Sequence, residues 1–227
     1  MAPGSKRWPA SHWRELLASA AALVEDSVLP RHVAWSWGGG TRLAQLYDHR
    51  LSYDIDIFIT DVQALLWLSP RLNDAAARLT DDYVESSESV KLSTAQGDID
   101  FIAAPVLTSP GTLTMEIDGR VITAQTAEEV LAKKLQFRGH SLAARDAFDL
   151  AVMLRVDRSA VDAALIACSQ RALAQATARL RLMLPSLTDQ LEDSVRPQPQ
   201  FERFVTEAPC ILERWLGEAA APDRTDA

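Results

Sequence analysis

WGGGTRLAQLYDHRLSYDIDIFIT, residues 37–60, carries the densest set of signals in the chain. Three glycines, Gly38, Gly39 and Gly40, break a short aromatic and β-branched run, HVAWSW (32–37), that reads as a strand. TRLAQLY (41–47) then starts a helix, and YDIDIFIT (53–60) is the clearest strand of the sequence. Successive strand side chains point to opposite faces, so Ile55, Ile57 and Ile59 supply an apolar face while Asp54 and Asp56 share the other. Two adjacent carboxylates cost electrostatic energy unless solvent or a cation offsets it. A hard divalent cation such as Mg²⁺ takes oxygen ligands, and carboxylates plus substrate phosphates are its usual set. In the glycine turn a backbone without Cβ atoms approaches phosphate closely, and the helix N-terminus behind it favours an anion. No GK[ST] follows and the GxGxxG spacing is absent, so the turn is neither a P-loop nor a dinucleotide fingerprint. Taken singly, DID also fits a solvated strand face, and GGGT an ordinary strand-to-helix turn.

A second acidic strand, Gly97-Asp98-Ile99-Asp100-Phe101-Ile102, repeats the pattern, with Asp98 and Asp100 on one face and Ile99 and Phe101 on the other. Beside the first strand, one of its carboxylates would complete a three-carboxylate metal site.

Outward from these strands, apolar residues at helical spacing predict a helix from Ser11 to Pro30, and residues 61–80 read as helical with an interruption near Ser69–Pro70. Strands are expected at 82–86, 89–94 and 98–104, and Asp118–Gly119 between TLTMEI and RVITA is a two-residue hairpin signal. Thr126 and Glu129 form a capping box before a helix running to about Arg138. Helices follow over roughly 142–155, 159–183, 186–194 and 200–217. The expected organisation is an α/β domain over 1–124, a helical domain over 125–217 and a flexible tail over 218–227.

A chain of 227 residues with 48% hydrophobic and 24% charged residues has globular proportions, which excludes disordered and collagen-like classes. Its two cysteines, Cys168 and Cys210, match no zinc or redox spacing, so no disulfide is expected and a reducing, cytoplasmic compartment fits. The net charge of −8 argues against general phosphate neutralisation, so any nucleic-acid contact needs a local patch such as Arg171, Arg179 and Arg181. No apolar run reaches the roughly 20 residues of a membrane span, and MAPGSKRWPASHW has no signal-peptide core.

The order GG, short helix, DxD strand and third carboxylate on a neighbouring strand resembles the DNA polymerase β superfamily of nucleotidyltransferases. More narrowly, residues 37–58 resemble the first motif of the AbiEii/AbiGii-type toxin nucleotidyltransferases. EEVLAKKLQFRGHSLAARDAFDL (128–150) resembles their downstream K-L-x-x-R and R-D-x-x-D-L signature. The resemblance implies an α/β (α+β) fold, a nucleotidyltransferase-type mixed sheet flanked by helices with a helical C-terminal domain closing over the nucleotide. It implies transfer of a nucleoside monophosphate from an NTP with Mg²⁺ or Mn²⁺, a tRNA or other RNA acceptor, and a cognate antitoxin encoded nearby. Carried across, it makes Gly39, Gly40 and Thr41 the triphosphate turn, Asp54 and Asp56 metal ligands, and Asp100 the third carboxylate with Asp98 as fallback. Lys134, doubled by Lys133, would face the phosphates, and Asp146, with Asp149 nearby, matches the family aspartate. A small-molecule nucleotidyltransferase and a non-catalytic nucleotide-binding module are the competing readings.

Read without the resemblance, Lys133 and Lys134 fit a solvated helix face, and Arg145–Asp146 an ion pair or a helix cap. Arg42, His49 and Arg50 either touch phosphate or lie on the surface. His12, His32 and His140 show no ligand spacing, and Trp35 and Trp37 read as core.

Overall fold

Leu16, Leu17, Ala20, Ala21, Leu23 and Val24 recur on one helical face and are all buried, which is what holds α1 (Trp13–Asp26) against the strands that follow. The helix stops short of the expected Pro30, because Ser27 is already extended and its N–H closes the last turn on Leu23 O. The computed structural model describes residues 10–27, 29–30 and 33–218. Val28, His32 and the expected tail beyond Glu218 lie outside the described residues. The chain divides into two units, one running to Thr41 and resuming over Leu51–Pro105, the other comprising Arg42–Arg50 and the chain from Val106. The division falls after Pro105, and it cuts through one continuous helix, α2 (Gly39–Tyr47).

In the first unit, β1 (Trp35–Gly38), β2 (Ile55–Ile59), β3 (Tyr83–Glu85), β4 (Ser89–Thr94) and β5 (Gly97–Ala103) form a mixed sheet in the order β3-β4-β5-β2-β1. The pairing of β2 with β5 is parallel, and the β1–β2, β4–β5 and β3–β4 pairings are antiparallel. Ile55, Ile57, Ile59, Val90, Leu92, Ile99 and Phe101 are buried on one face of the sheet. Both α1 and the turn Val62–Leu68 pack against this sheet. Trp37 is fully buried and stacks on Trp13 with centroids 5.4 Å apart. The expected helix over 61–80 resolves into a 3₁₀ segment, Val62–Leu68, and a short α3 (Asp74–Leu79) that Asn73 caps at Ala75 N and Ala76 N.

The second unit holds the hairpin of β6 (Thr112–Ile117) and β7 (Arg120–Gln125), with positive φ at both turn residues, Asp118 and Gly119. Six helices follow: α4 (Ala127–Arg138), α5 (Ala144–Val156), α6 (Arg158–Ile166), α7 (Gln170–Met183), α8 (Leu187–Ser194) and α9 (Phe204–Glu218). They bury a shared core that includes Leu131, Leu135, Phe148, Val152, Leu180 and Leu212. The expected single helix over 159–183 is two, because Ser169 starts a new N-terminus by accepting Ala172 N–H. The capping box at α4 is half formed: Thr126 accepts Glu129 N–H, but the Glu129 carboxylate turns instead to Leu107 N, Thr108 N and Thr108 Oγ1.

Candidate active site

Asp54 and Asp56 flank Ile55, whose burial turns both carboxylates to the sheet's other face. The parallel register sets Asp56 directly opposite Asp100, and Asp54 Oδ1 accepts the Asp98 N–H at 3.3 Å. Four carboxylates thus form a two-strand ladder. On the next strand the register puts Lys91 opposite Asp100, yet its ammonium leans to Asp98, with Nζ 2.5 Å from Asp98 Oδ2 and 4.0 Å from Asp100 Oδ2. Burial first, then the charge of Asp56, lifts the Asp100 carboxyl to about 6. Asp98 and Asp54 add to the rise, and Lys91 pulls against it. The Lys91 ammonium is raised chiefly by its hydrogen bond to Asp98. Sequence reasoning overlooked Lys91, although its place between buried Val90 and Leu92 puts it on the polar face.

The glycine turn meets this ladder at one point. Gly38 pairs with Asp56 across β1–β2, and Gly39 follows at φ +70°. A Cβ on Gly39 would stand 1.7 Å from Asp56 Oδ2 and 2.4 Å from its Cγ, so the space the side chain would fill is occupied by the carboxylate. Thr41 is buried, and its hydroxyl lies within hydrogen-bond reach of the Asp54 carbonyl and of Ser52 Oγ. The side chain of Thr41 therefore ties the start of α2 to the start of the acidic strand.

Lys134 and Asp146 come together in the second unit. Lys134 Nζ lies 2.6 Å from Asp146 Oδ1 and 2.8 Å from Asp149 Oδ2. Asp149 is fully buried and also accepts from Arg50 Nε at 2.6 Å and Arg50 Nη2 at 3.0 Å, with His49 Nε2 at 2.8 Å. Burial acts against the charged Asp149, but Arg50 and Lys134 outweigh it and hold its carboxyl well below the usual range. Burial likewise opposes the charged forms of Asp146 and Lys134. Lys134 and Arg138 nevertheless hold Asp146 low, and Asp146 and Asp149 keep Lys134 high. Asp146 Oδ2 further accepts the Ala143 N–H at 3.0 Å, at the start of α5. Gln198 N donates to His49 O, and Arg50 makes a β-bridge to Pro197, so the His49–Arg50 segment is fixed from two sides.

Several expectations change here. Arg42, His49 and Arg50 lie neither on the surface nor ready for phosphate: all are buried, Arg42 with its Nε on Gln125 O at 2.8 Å. Lys133 and Lys134 are both buried, Lys133 beside Glu129 at 3.2 Å, so neither is on a solvated face. Arg179 Nε donates to Leu142 O, leaving Arg171 and Arg181 as the exposed members of the expected basic patch.

The donor set of the ladder suits a hard divalent cation: all oxygen, mutually repelling, and with one carboxyl raised by burial and by its neighbours. Among the described residues no group of three or more His, Cys, Asp or Glu side chains is placed to hold an ion alone. A Mg²⁺ ion ordinarily takes only one or two carboxylates and completes its sphere with water and substrate phosphate. Asp54 and Asp56 fit that demand.

A protein from H. pylori, assigned provisionally to the nucleotidyltransferases, shares this fold at TM-score 0.50 with 14% identity, covering 93% of this chain and 100% of its own. An antigenic nucleotidyltransferase-like protein from Paracoccidioides brasiliensis aligns at TM-score 0.41 with 15% identity, over 83% of this chain and 97% of its own. No curated protein sequence matches significantly. The family description "Nucleotidyl transferase AbiEii toxin, Type IV TA system" matches residues 23–210, a span that takes in the glycine turn, both acidic strands and the Lys134–Asp149 cluster. This chain belongs to the AbiEii nucleotidyltransferase toxin family.

Proposed function

We propose that the chain moves a nucleoside monophosphate from an NTP to an acceptor hydroxyl of RNA, with tRNA the leading candidate. It would do so with Mg²⁺, which Mn²⁺ can replace, and as the toxin partnered by a cognate antitoxin. The observation that carries the reading is the in-register Asp56–Asp100 pair, with Asp56 against Gly39. Asp54 and Asp56 would hold the metal, and Gly39, Gly40 and Thr41 would form the turn that receives the triphosphate. The bound ion would supply charge neutralisation for the triphosphate. Asp100, in register with Asp56, would complete the ligand set as the third carboxylate or take the acceptor proton. The acceptor oxygen bonds to the α-phosphorus as the bond to the pyrophosphate oxygen breaks, and pyrophosphate leaves. Lys134 and Asp146 fix each other's placement within the second unit, since the Lys134 ammonium is already held by two carboxylates.

The test is transfer of label from each of the four α-labelled NTPs into total tRNA with Mg²⁺, beside an Asp54→Ala/Asp56→Ala control. Label in tRNA that is lost in the control supports the class, the base preference and the acceptor together. Label in a small molecule instead of RNA moves the assignment to a small-molecule nucleotidyltransferase. Neither label nor NTP binding overturns catalysis in favour of a nucleotide-binding module.

A further inference from the structure

Of the four carboxylates in the ladder, two are equivalent by sequence: Asp98 and Asp100 lie on the same strand face and both follow an apolar-alternation rule. Tertiary structure makes them unequal. Asp100 stands opposite Asp56, whereas Asp98 carries the closest contact of Lys91, at 2.5 Å against 4.0 Å for Asp100. Lys91 reaches this position because β4 and β5 form an antiparallel pair with Lys91 opposite Asp100 and Ser93 opposite Asp98. Its long side chain runs diagonally to the carboxylate one pair further along.

We infer that Lys91 is a specificity-determining residue of the metal site: by pairing with Asp98 it withholds that carboxylate from the ion and leaves Asp100 as the third acidic group beside Asp54 and Asp56. The inference rests on the metal reading above and adds to it which carboxylates are available. A lysine suits this task, because its compact ammonium satisfies one carboxylate at close range and, being 40% exposed, competes only weakly for the next. Without Lys91, Asp98 is free to turn to the ion and stand in for Asp100.

Direct Mn²⁺ binding to the metal-free full chain, followed by electron paramagnetic resonance without nucleotide, reads this without any catalytic assay. The variants are Lys91→Met, Asp100→Asn, the two combined, Lys91→Arg and Asp56→Asn. Lys91→Met should tighten Mn²⁺ by about tenfold, the size expected for losing one positive charge near the ion in a solvated setting. Lys91→Arg should leave binding as in the parent. The decisive quantity is coupling. Asp100→Asn should weaken binding about tenfold in the parent but no more than about threefold in the Lys91→Met background, where Asp98 replaces it. Equal losses in both backgrounds would mean that Lys91 acts only as a distant charge, and would overturn the inference while leaving the metal reading intact. If Asp56→Asn binds Mn²⁺ as well as the parent, the metal reading fails and the inference with it. Lys91→Gln carries the same cycle should Lys91→Met not fold.

Discussion

The chain holds two clusters of aspartates that look alike on paper and are opposites in physics. In the first unit Asp54, Asp56, Asp98 and Asp100 line one sheet face, and burial, with the charge of Asp56 added to it, lifts the Asp100 carboxyl to about 6. In the second unit Asp146 and Asp149 are deeply buried, yet Lys134 and Arg138 hold Asp146, and Arg50 and Lys134 hold Asp149, below the usual carboxyl range. The second cluster brings its own counter-ions, with Arg50 and Lys134 on Asp149 and the His49 ring hydrogen-bonded to it. The first draws Lys91 to Asp98, and under the proposed function a divalent cation would offset the repulsion that remains. The two clusters therefore differ in what neutralises them: Arg50 and Lys134 serve the second, whereas the proposed function gives that task in the first to a bound cation.

The sharpest way to break this contrast is to remove one cluster at a time. Asp54→Ala/Asp56→Ala should lower nucleotide transfer by about 10³-fold or more, several kcal/mol of lost charge stabilisation. It should leave the denaturant midpoint unchanged or raised, because it relieves repulsion. A large fall in the midpoint would place the ladder among the structural clusters. Asp149→Ala should do the reverse, costing about 3–5 kcal/mol in urea unfolding, because it strands Arg50 and Lys134 in the interior. A loss under about 1 kcal/mol would show that water already reaches them.

Smaller effects sharpen the picture. Gly39→Ala should cost about 1–2 kcal/mol from its φ of +70° alone. Because its Cβ would overlap Asp56 Oδ2, Mn²⁺ affinity should fall with it. A variant with normal stability but lost Mn²⁺ binding would locate the whole effect in the displaced carboxylate.

The smallest effect is in pH. Folded Asp100 has its pKa raised, so its stabilising contribution is complete below about 4 and is lost as pH rises through about 6. In the metal-free protein, Asp100→Asn should therefore melt about 2–4 °C above the parent at pH 7, about 1 kcal/mol, and the gap should close by pH 4. The lowered pKa values of Asp146 and Asp149 give the opposite sign: their contribution is present above about 4 and fades only as pH falls through their depressed folded values. A parent whose stability rises steadily from pH 4 to 7 without metal would contradict the assignment at Asp100.

Legibility in the sequence followed the range of the interaction. The DID faces could be read because strand alternation is local, and the turn at Gly39 because a positive φ selects glycine within a few residues. The helix break at Ser169 was missed, since apolar periodicity continues across it while the cap depends on one hydroxyl. The burial of Arg42, His49 and Arg50 was missed for a different reason. Arg42 meets Gln125, and His49 and Arg50 meet Asp149, partners about a hundred residues away or nearly so.

By itself the sequence determined the acidic strand faces, the glycine turn and the family, because backbone sterics and a period of two act over a handful of residues. Only tertiary structure decided that Asp100 faces Asp56 while Asp98 goes to Lys91, that the paired lysines are both buried, and that α2 belongs to two units. Those outcomes depend on strand register and on long-range charge pairing, which adjacent residues do not encode.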